Sequence, residues 1–226
     1  MDYFDVRVSW DEKLLKRRGH PQGVEILSKE WNTYMRTRCG KTWDEYFQAE
    51  STLFDEMPRP ILGKLDYPRG PLWDYMDAYP YRDNMLACVS ERVKRLLEQL
   101  QVAPSEYVLE PVSVKHVEVP LYLLFVRKIV RWKDIDVDYK KSTFVNPIKM
   151  EIIPGITEGI LKERRTAGIL TSPKNIVARK RPFYLDIICI ETCGGVFFSE
   201  RLVNAFLQEG IVGFEIVNNW HTLTFV

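Results

Sequence analysis

Nucleophilic chemistry suggests itself at one place in this chain, Cys189-Ile-Glu-Thr-Cys193-Gly194-Gly195. A thiolate held at a glycine turn attacks carbonyl carbon when an imidazole stands beside it, and the sequence offers His20, His116 and His221. No recognisable signature surrounds Cys193, and the same residues suit a buried strand that ends in a tight turn, which is the preferred reading. Cys189 and Cys193 have three residues between them, and no second Cys/His pair lies at ligand spacing, so no zinc site is expected. HExxH, P-loop and GxGxxG patterns are absent. Asp134, Asp136 and Asp138 would share one face of a strand and form an acidic row suited to a hard cation. The same alternation turns Ile135 and Val137 inward, so a half-buried strand with a solvated edge explains it better. No catalytic residue, metal or cofactor is expected, and the alternative kept open is an enzyme acting through the Cys193 region.

Two other features suit binding. Lys162–Arg181 holds Lys162, Arg164, Arg165, Lys174, Arg179, Lys180 and Arg181 against Glu163. Arg164, Arg165, Arg179 and Arg181 are candidate contacts for an acidic partner surface; the plainer reading is a solvated loop and a strand edge protected by charge. No aromatic residue is interleaved with these charges for base stacking, so a nucleic-acid partner is the weaker alternative. Residues 1–80 are rich in Trp and Tyr, and Trp43 and Trp73 are candidate anchors for a protein interface, although such rings more often lie in cores.

The elements that must position these residues read as α+β: mixed or antiparallel sheets with a few packed helices. Tyr3, Phe4, Val6 and Val8 suggest a first strand, and Trp31, Tyr34 and Met35 fall at helical spacing, as do Trp43, Tyr46 and Phe47. MPRPILGKLDYPRGPLWDY, broken by Pro and Gly, reads as an extended connector. Val93, Leu96, Leu97 and Leu100 make an apolar stripe behind Ser90, a good N-cap, and SERLVNAFLQEG repeats the arrangement from Ser199 to Gly210. Ser90-Glu91-Arg92 recurs as Ser199-Glu200-Arg201, and Val93, Leu97 and Gln99 recur as Leu202, Phe206 and Gln208, which suggests two related helix-plus-strand modules. Strands are expected at Tyr107–Val112, Val119–Val126, Ile129–Trp132, Ile135–Tyr139, Ile148–Ile153, Asn175–Ala178 and Phe183–Glu191, with a hairpin turn at Asn218-Asn219. The expected division is an aromatic-rich region with its connector over 1–80 and an α+β core over 81–226.

At 226 residues the chain can bury a sizeable core, and a formal net charge of +1 fits neither a DNA mimic nor a general nucleic-acid binder. The N-terminal residues lack a signal-peptide apolar run, and Val119–Val126 is too short to span a bilayer, so a cytoplasmic protein with no membrane partner is expected. Four cysteines in such a compartment are expected as free thiols.

The order of motifs resembles a bacterial immunity-protein family found beside polymorphic and contact-dependent toxins, immunity family eleven, formerly a domain of unknown function. The matching pieces are Ser90-Glu91-Arg92-Val93, Glu110-Pro111-Val112, Tyr122-Leu123-Leu124, Ile135-Asp136-Val137-Asp138 with Ser142, Val196–Leu202 and Gly210–Glu215. The last two form the most specific part, and the likeness covers about 70–217, leaving 1–69 outside it. The resemblance implies a non-catalytic protein that binds a cognate toxin and occludes its active site. It supplies no catalytic motif and leaves the oligomeric state open.

Overall fold

The computed structural model describes residues 2–15, 20–38, 53–80, 85–127, 129–179, 185–190, 196–217 and 222–226. They form an α+β protein with mixed sheets, one of them a closed barrel. Contacts divide the chain into two units: Met1–Val6, Ile129–Val203 and Ile216–Val226 make one, Arg7–Lys128 and Asn204–Glu215 the other. The expected division at 80/81 does not coincide with this one, because strands from both sides of that point close the same barrel.

The barrel unit contains α1 (Glu12–Leu15), β2 (Gly23–Ile26), α2 (Lys29–Arg38), β3 (Ile61–Leu65), β4 (Tyr75–Tyr79), β5 (Met85–Ser90), α3 (Glu91–Gln99), β6 (Tyr107–Val114) and β7 (Leu121–Val126). The barrel order is β2-β3-β6-β7-β5-β4, and a parallel β2–β4 pair closes it, with Val24 opposite Ala78. The passage read as a connector therefore supplies β3 and enters β4. Pro60 stands just before β3, where a ladder donor is dispensable, and Ile61, Gly63 and Leu65 alternate inward with Leu62 and Lys64 outward. A side chain at Gly63 would meet Val24 Cγ1 at 2.8 Å, so glycine lets β2 approach. The α2 helix matches the Trp31/Tyr34/Met35 spacing and buries Trp31 and Met35. The α3 helix buries Val93, Leu96 and Leu97, as its stripe predicts, and packs on β5. The second expected N-terminal helix, around Trp43, lies outside the described residues.

The other unit is built on a nine-stranded sheet. It comprises β1 (Asp2–Val8), β8 (Ile129–Val130), β9 (Thr143–Val145), β10 (Ile152–Ile153), β11 (Ser172–Ala178), β12 (Ile187–Ile190), β13 (Val196–Ser199), β14 (Phe214–Ile216) and β15 (Thr222–Phe225). Its order is β10-β9-β11-β15-β1-β13-β12-β8, and β14 also pairs with β1. Tyr3, Phe144, Ile176, Ile188, Phe197 and Leu223 share one core, which Trp132 and Leu161 join from outside the strands. Leu161 comes from α4 (Glu158–Thr166), whose Thr157 hydroxyl caps the helix by accepting from the Ile160 N–H at 3.3 Å. The last helix is α5 (Glu200–Gln208). Divisions between the units fall inside β1, α5 and β14.

Two strand expectations change. Ile135–Tyr139 forms no strand: a 3-10 turn over Trp132–Asp134 precedes it, and Val137 makes a single bridge to Ala178. Ile135 and Val137 are nevertheless buried, since short local turns satisfy the backbone while alternate side chains still face the core. In Ile148–Ile153 only the last two residues are strand, because the Asn146 side chain accepts from the Ile148 and Lys149 N–H groups and holds a turn. Asn218-Asn219 lies outside the described residues, and the strands on either side of it, β14 and β15, both pair with β1.

The repeat of Ser-Glu-Arg is real in three dimensions. Both helices follow directly on a strand ending in serine, β5 or β13, and each of those strands pairs antiparallel with one that starts just after an aspartate, β4 after Asp74 and β12 after Asp186. Both helices end in a Schellman turn. The Gln101 and Val102 N–H groups donate to Glu98 O and Leu97 O, and the Gly210 and Ile211 N–H groups donate to Leu207 O and Phe206 O. Gln101 (φ 53°) and Gly210 (φ 62°) occupy the left-handed position of each turn.

Candidate functional site

Residues that carry the resemblance brace each of the two modules. Ser199 Oγ–H donates to Asp186 at 2.5 Å, Arg201 Nε donates to the same carboxylate at 3.2 Å, and the Arg201 Nη2 group pairs with its other oxygen. Ser199 also accepts from the Leu202 N–H at 3.2 Å, so it caps α5 as expected. In the other module Ser90 Oγ–H donates to Asp74 at 2.7 Å, and Arg92 Nη1 donates to Asp74 at 3.3 Å. Ser90 makes no side-chain cap, so the expected role of its hydroxyl is corrected: it donates to Asp74, just before β4. Asp74 further accepts from the Val212 N–H at 3.1 Å, and Val212 O accepts from the Tyr75 N–H at 3.0 Å. Gly213 follows at φ +101°, where a Cβ would stand 2.2 Å from Tyr75 O. These serines, arginines and glycines are architecture.

The expected contact residues fare unevenly. Trp73 is 3% exposed and lies under Gly213, so its ring is core and presents no face to a partner, a correction to its candidacy as an anchor. Trp43, Arg181 and Cys193 lie outside the described residues. Arg164 and Arg165 belong to α4 rather than to a loop: Arg164 Nε donates to Thr171 Oγ1 at 2.7 Å, and the Arg165 guanidinium sits 5.7 Å from the centre of the Trp132 ring. Arg179 pairs with Asp138 at 3.4 Å. Burial disfavours the Asp138 charge, but Arg179 and the Lys140 and Lys141 N–H groups outweigh it and hold the carboxyl below the usual carboxylate range. Asp138 is buried while Asp134 and Asp136 are exposed, so the three make no acidic row. The basic segment is thus spent partly on its own fold.

Several polar features remain. Tyr79 donates to Asp66 beside Gly23, and burial first, with Asp66 second, raises the phenol's pKa, which keeps it protonated as a donor. A groove of about 490 Å³ runs along α3 past Val119 and Ile211, and three of its charges are engaged: Glu91 accepts from Tyr122 at 2.6 Å and from Arg95 at 3.4 Å, and Arg92 is held by Asp74. Cys88 and Cys189 are buried, and burial pushes the Cys88 thiol up, the reverse of what a nucleophile needs. Among the described residues no three His, Cys, Asp or Glu side chains stand together as a metal would require, and no helix is long and apolar enough to cross a membrane.

What the sequence reading missed is an outward-facing apolar set in the barrel-free unit: Ile148, Met150, Ile152, Ile169 and Leu170. The available signal was their setting, since large apolar residues among Pro, Gly and Lys occupy turn positions rather than a core face. The fold and its two aspartate-held modules define an α+β protein with a six-stranded barrel. Compared with known proteins, no family model matches the chain and no curated protein matches it.

Proposed function

We propose that this protein acts by binding another protein, and that the partner is a bacterial toxin whose active site it occludes. The observation that supports this reading is the use to which the motif residues are put. Those on which the sequence resembles an immunity family, Ser90, Arg92, Ser199, Arg201 and Gly213, all serve packing and hydrogen bonding within the fold. A family defined by architecture, with individual surfaces laid over it, suits proteins that each meet a different partner. Neutralisation then rests on affinity: an interface of about 1,600 Å² with a few buried anchors reaches nanomolar dissociation constants.

The test is co-expression with the product of the gene directly upstream, followed by purification of the complex. Protection from that toxin, together with a 1:1 or higher complex that survives gel filtration, is the expected result. Protection that needs the Cys193 thiol but no stable complex would replace the reading with an enzymatic one. Cys193→Ala is expected to protect as well as the wild type.

A further inference from the structure

We propose that the partner docks on one end of the nine-stranded sheet, formed by the turn between β9 and β10, the edge strand β10, and Ile169-Leu170 ahead of β11. The proposal rests on the protein-binding function above and names its surface. The register places these pieces together: Val145 of β9 stands opposite Ile152 on one side and Ser172 on the other. The turn that follows Val145 and the residues that precede Ser172 therefore project from the same end, two strand spacings or about 10 Å apart. Ile148 is 76% exposed, Ile152 65%, Leu170 53%, Ile169 46% and Met150 45%. Five of the fourteen large exposed apolar side chains among the described residues thus gather at this end, more than scattered surface residues explain.

The backbone beneath them is preformed. Asn146 N–H donates to Glu151 O at 2.9 Å, Met150 N–H donates to Asn146 O at 2.8 Å, and Met150 sits at φ 57°. On the other side Ile169 N–H donates to Arg164 O at 2.8 Å, and Thr171 is tied to Arg164. A backbone already held in water loses little freedom when a partner covers it. Charge chooses the partner's chemistry. Residues 146–174 carry Lys149, Lys162, Arg164, Arg165 and Lys174 against Glu151, Glu158 and Glu163, and among the described residues the three lysines have no ion-pair partner. The excess of cations in this segment repels a second copy and attracts carboxylates. The occupant is a protein face with an apolar centre and an acidic rim.

The probe is the toxin encoded upstream, in inactivated form, titrated against wild-type chain and two variants. In Ile148→Asp/Ile152→Asp/Leu170→Asp the dissociation constant is expected to rise at least about thirtyfold, through faster dissociation. In Lys149→Glu/Lys162→Glu/Lys174→Glu association is expected to slow about tenfold, with a weaker dependence on salt. All six positions are at least partly exposed, and melting curves check the fold; should the aspartate variant unfold, the lysine variant decides. Wild-type binding that both folded variants retain unchanged overturns this surface and leaves the function standing. No binding by the wild type overturns both.

Discussion

Replacing Asp186 by alanine tests the idea that one carboxylate holds the start of α5. Its side chain is 9% exposed and takes the Ser199 hydroxyl and two nitrogens of Arg201. Without it, the Ser199 hydroxyl is left in a fully buried place with no acceptor, which costs about 1–2 kcal/mol. Arg201, 47% exposed, recovers much of its hydration, so its lost pairing adds only about 1 kcal/mol. The expected destabilisation is about 2–3 kcal/mol. Asp74→Ala removes a similar set, but Asp74 is 17% and Arg92 49% exposed, so about 2 kcal/mol is expected. Urea denaturation followed by tryptophan fluorescence gives the totals, and amide exchange of β12, β13 and the first turn of α5 localises the Asp186 effect. A double-mutant cycle between Asp186→Ala and Ser199→Ala should show coupling of about 1 kcal/mol or more. A loss below about 1 kcal/mol for Asp186→Ala, or strict additivity with Ser199→Ala, would refute the reasoning.

Gly213→Ala places a methyl group against the Tyr75 carbonyl in a left-handed backbone and is expected to cost about 3 kcal/mol or more, whereas Gly210→Ala, with open space around it, should cost about 1 kcal/mol; denaturation midpoints compare them. Asp138 is held below the usual carboxylate range, so its pairing with Arg179 contributes stability that is present above about pH 4 and lost as acid drives the pH through the lowered value. Arg179→Met should therefore raise the pH at which the protein unfolds in an acid titration, and should do so far less when Asp138 is already Asn. Cys88 is buried and its thiol pushed up, so native protein treated with N-ethylmaleimide at pH 8 should yield an unmodified Cys88 peptide on mapping, and denatured protein a fully modified one.

Local signals survived folding wherever one element could satisfy itself. The stripe of Val93, Leu96 and Leu97 needs only a neighbour to bury it, and α3 and α5 stand where their periodicity puts them. Tyr107–Val112 and Val119–Val126 likewise contain or become strands, and the repeated Ser-Glu-Arg marked a repeated structure. The barrel was hidden because its closing pairs join segments far apart in the chain. Ile61 of β3 lies opposite Val112 of β6, and Pro and Gly around β3 disguise a five-residue strand as a linker. The α4 helix was missed because a single residue, Leu161, is its buried apolar contact, too little for a visible stripe.

The candidate site shows the same limit more sharply. The sequence by itself determined that the chain is α+β, that two helices each led by Ser-Glu-Arg repeat, and that 162–181 is basic. Only the tertiary structure decided that Trp73 is core, that Arg165 lies over Trp132 and Arg179 pairs with Asp138, and that Asp74 and Asp186 are the acceptors for the two serines. Residue type states what a side chain can do, and spacing along the chain states which neighbours share its helix or strand. Whether an arginine faces a partner or its own protein depends on what lies across the sheet. That is set by long-range pairing such as Val145 with Ser172, which no local pattern encodes.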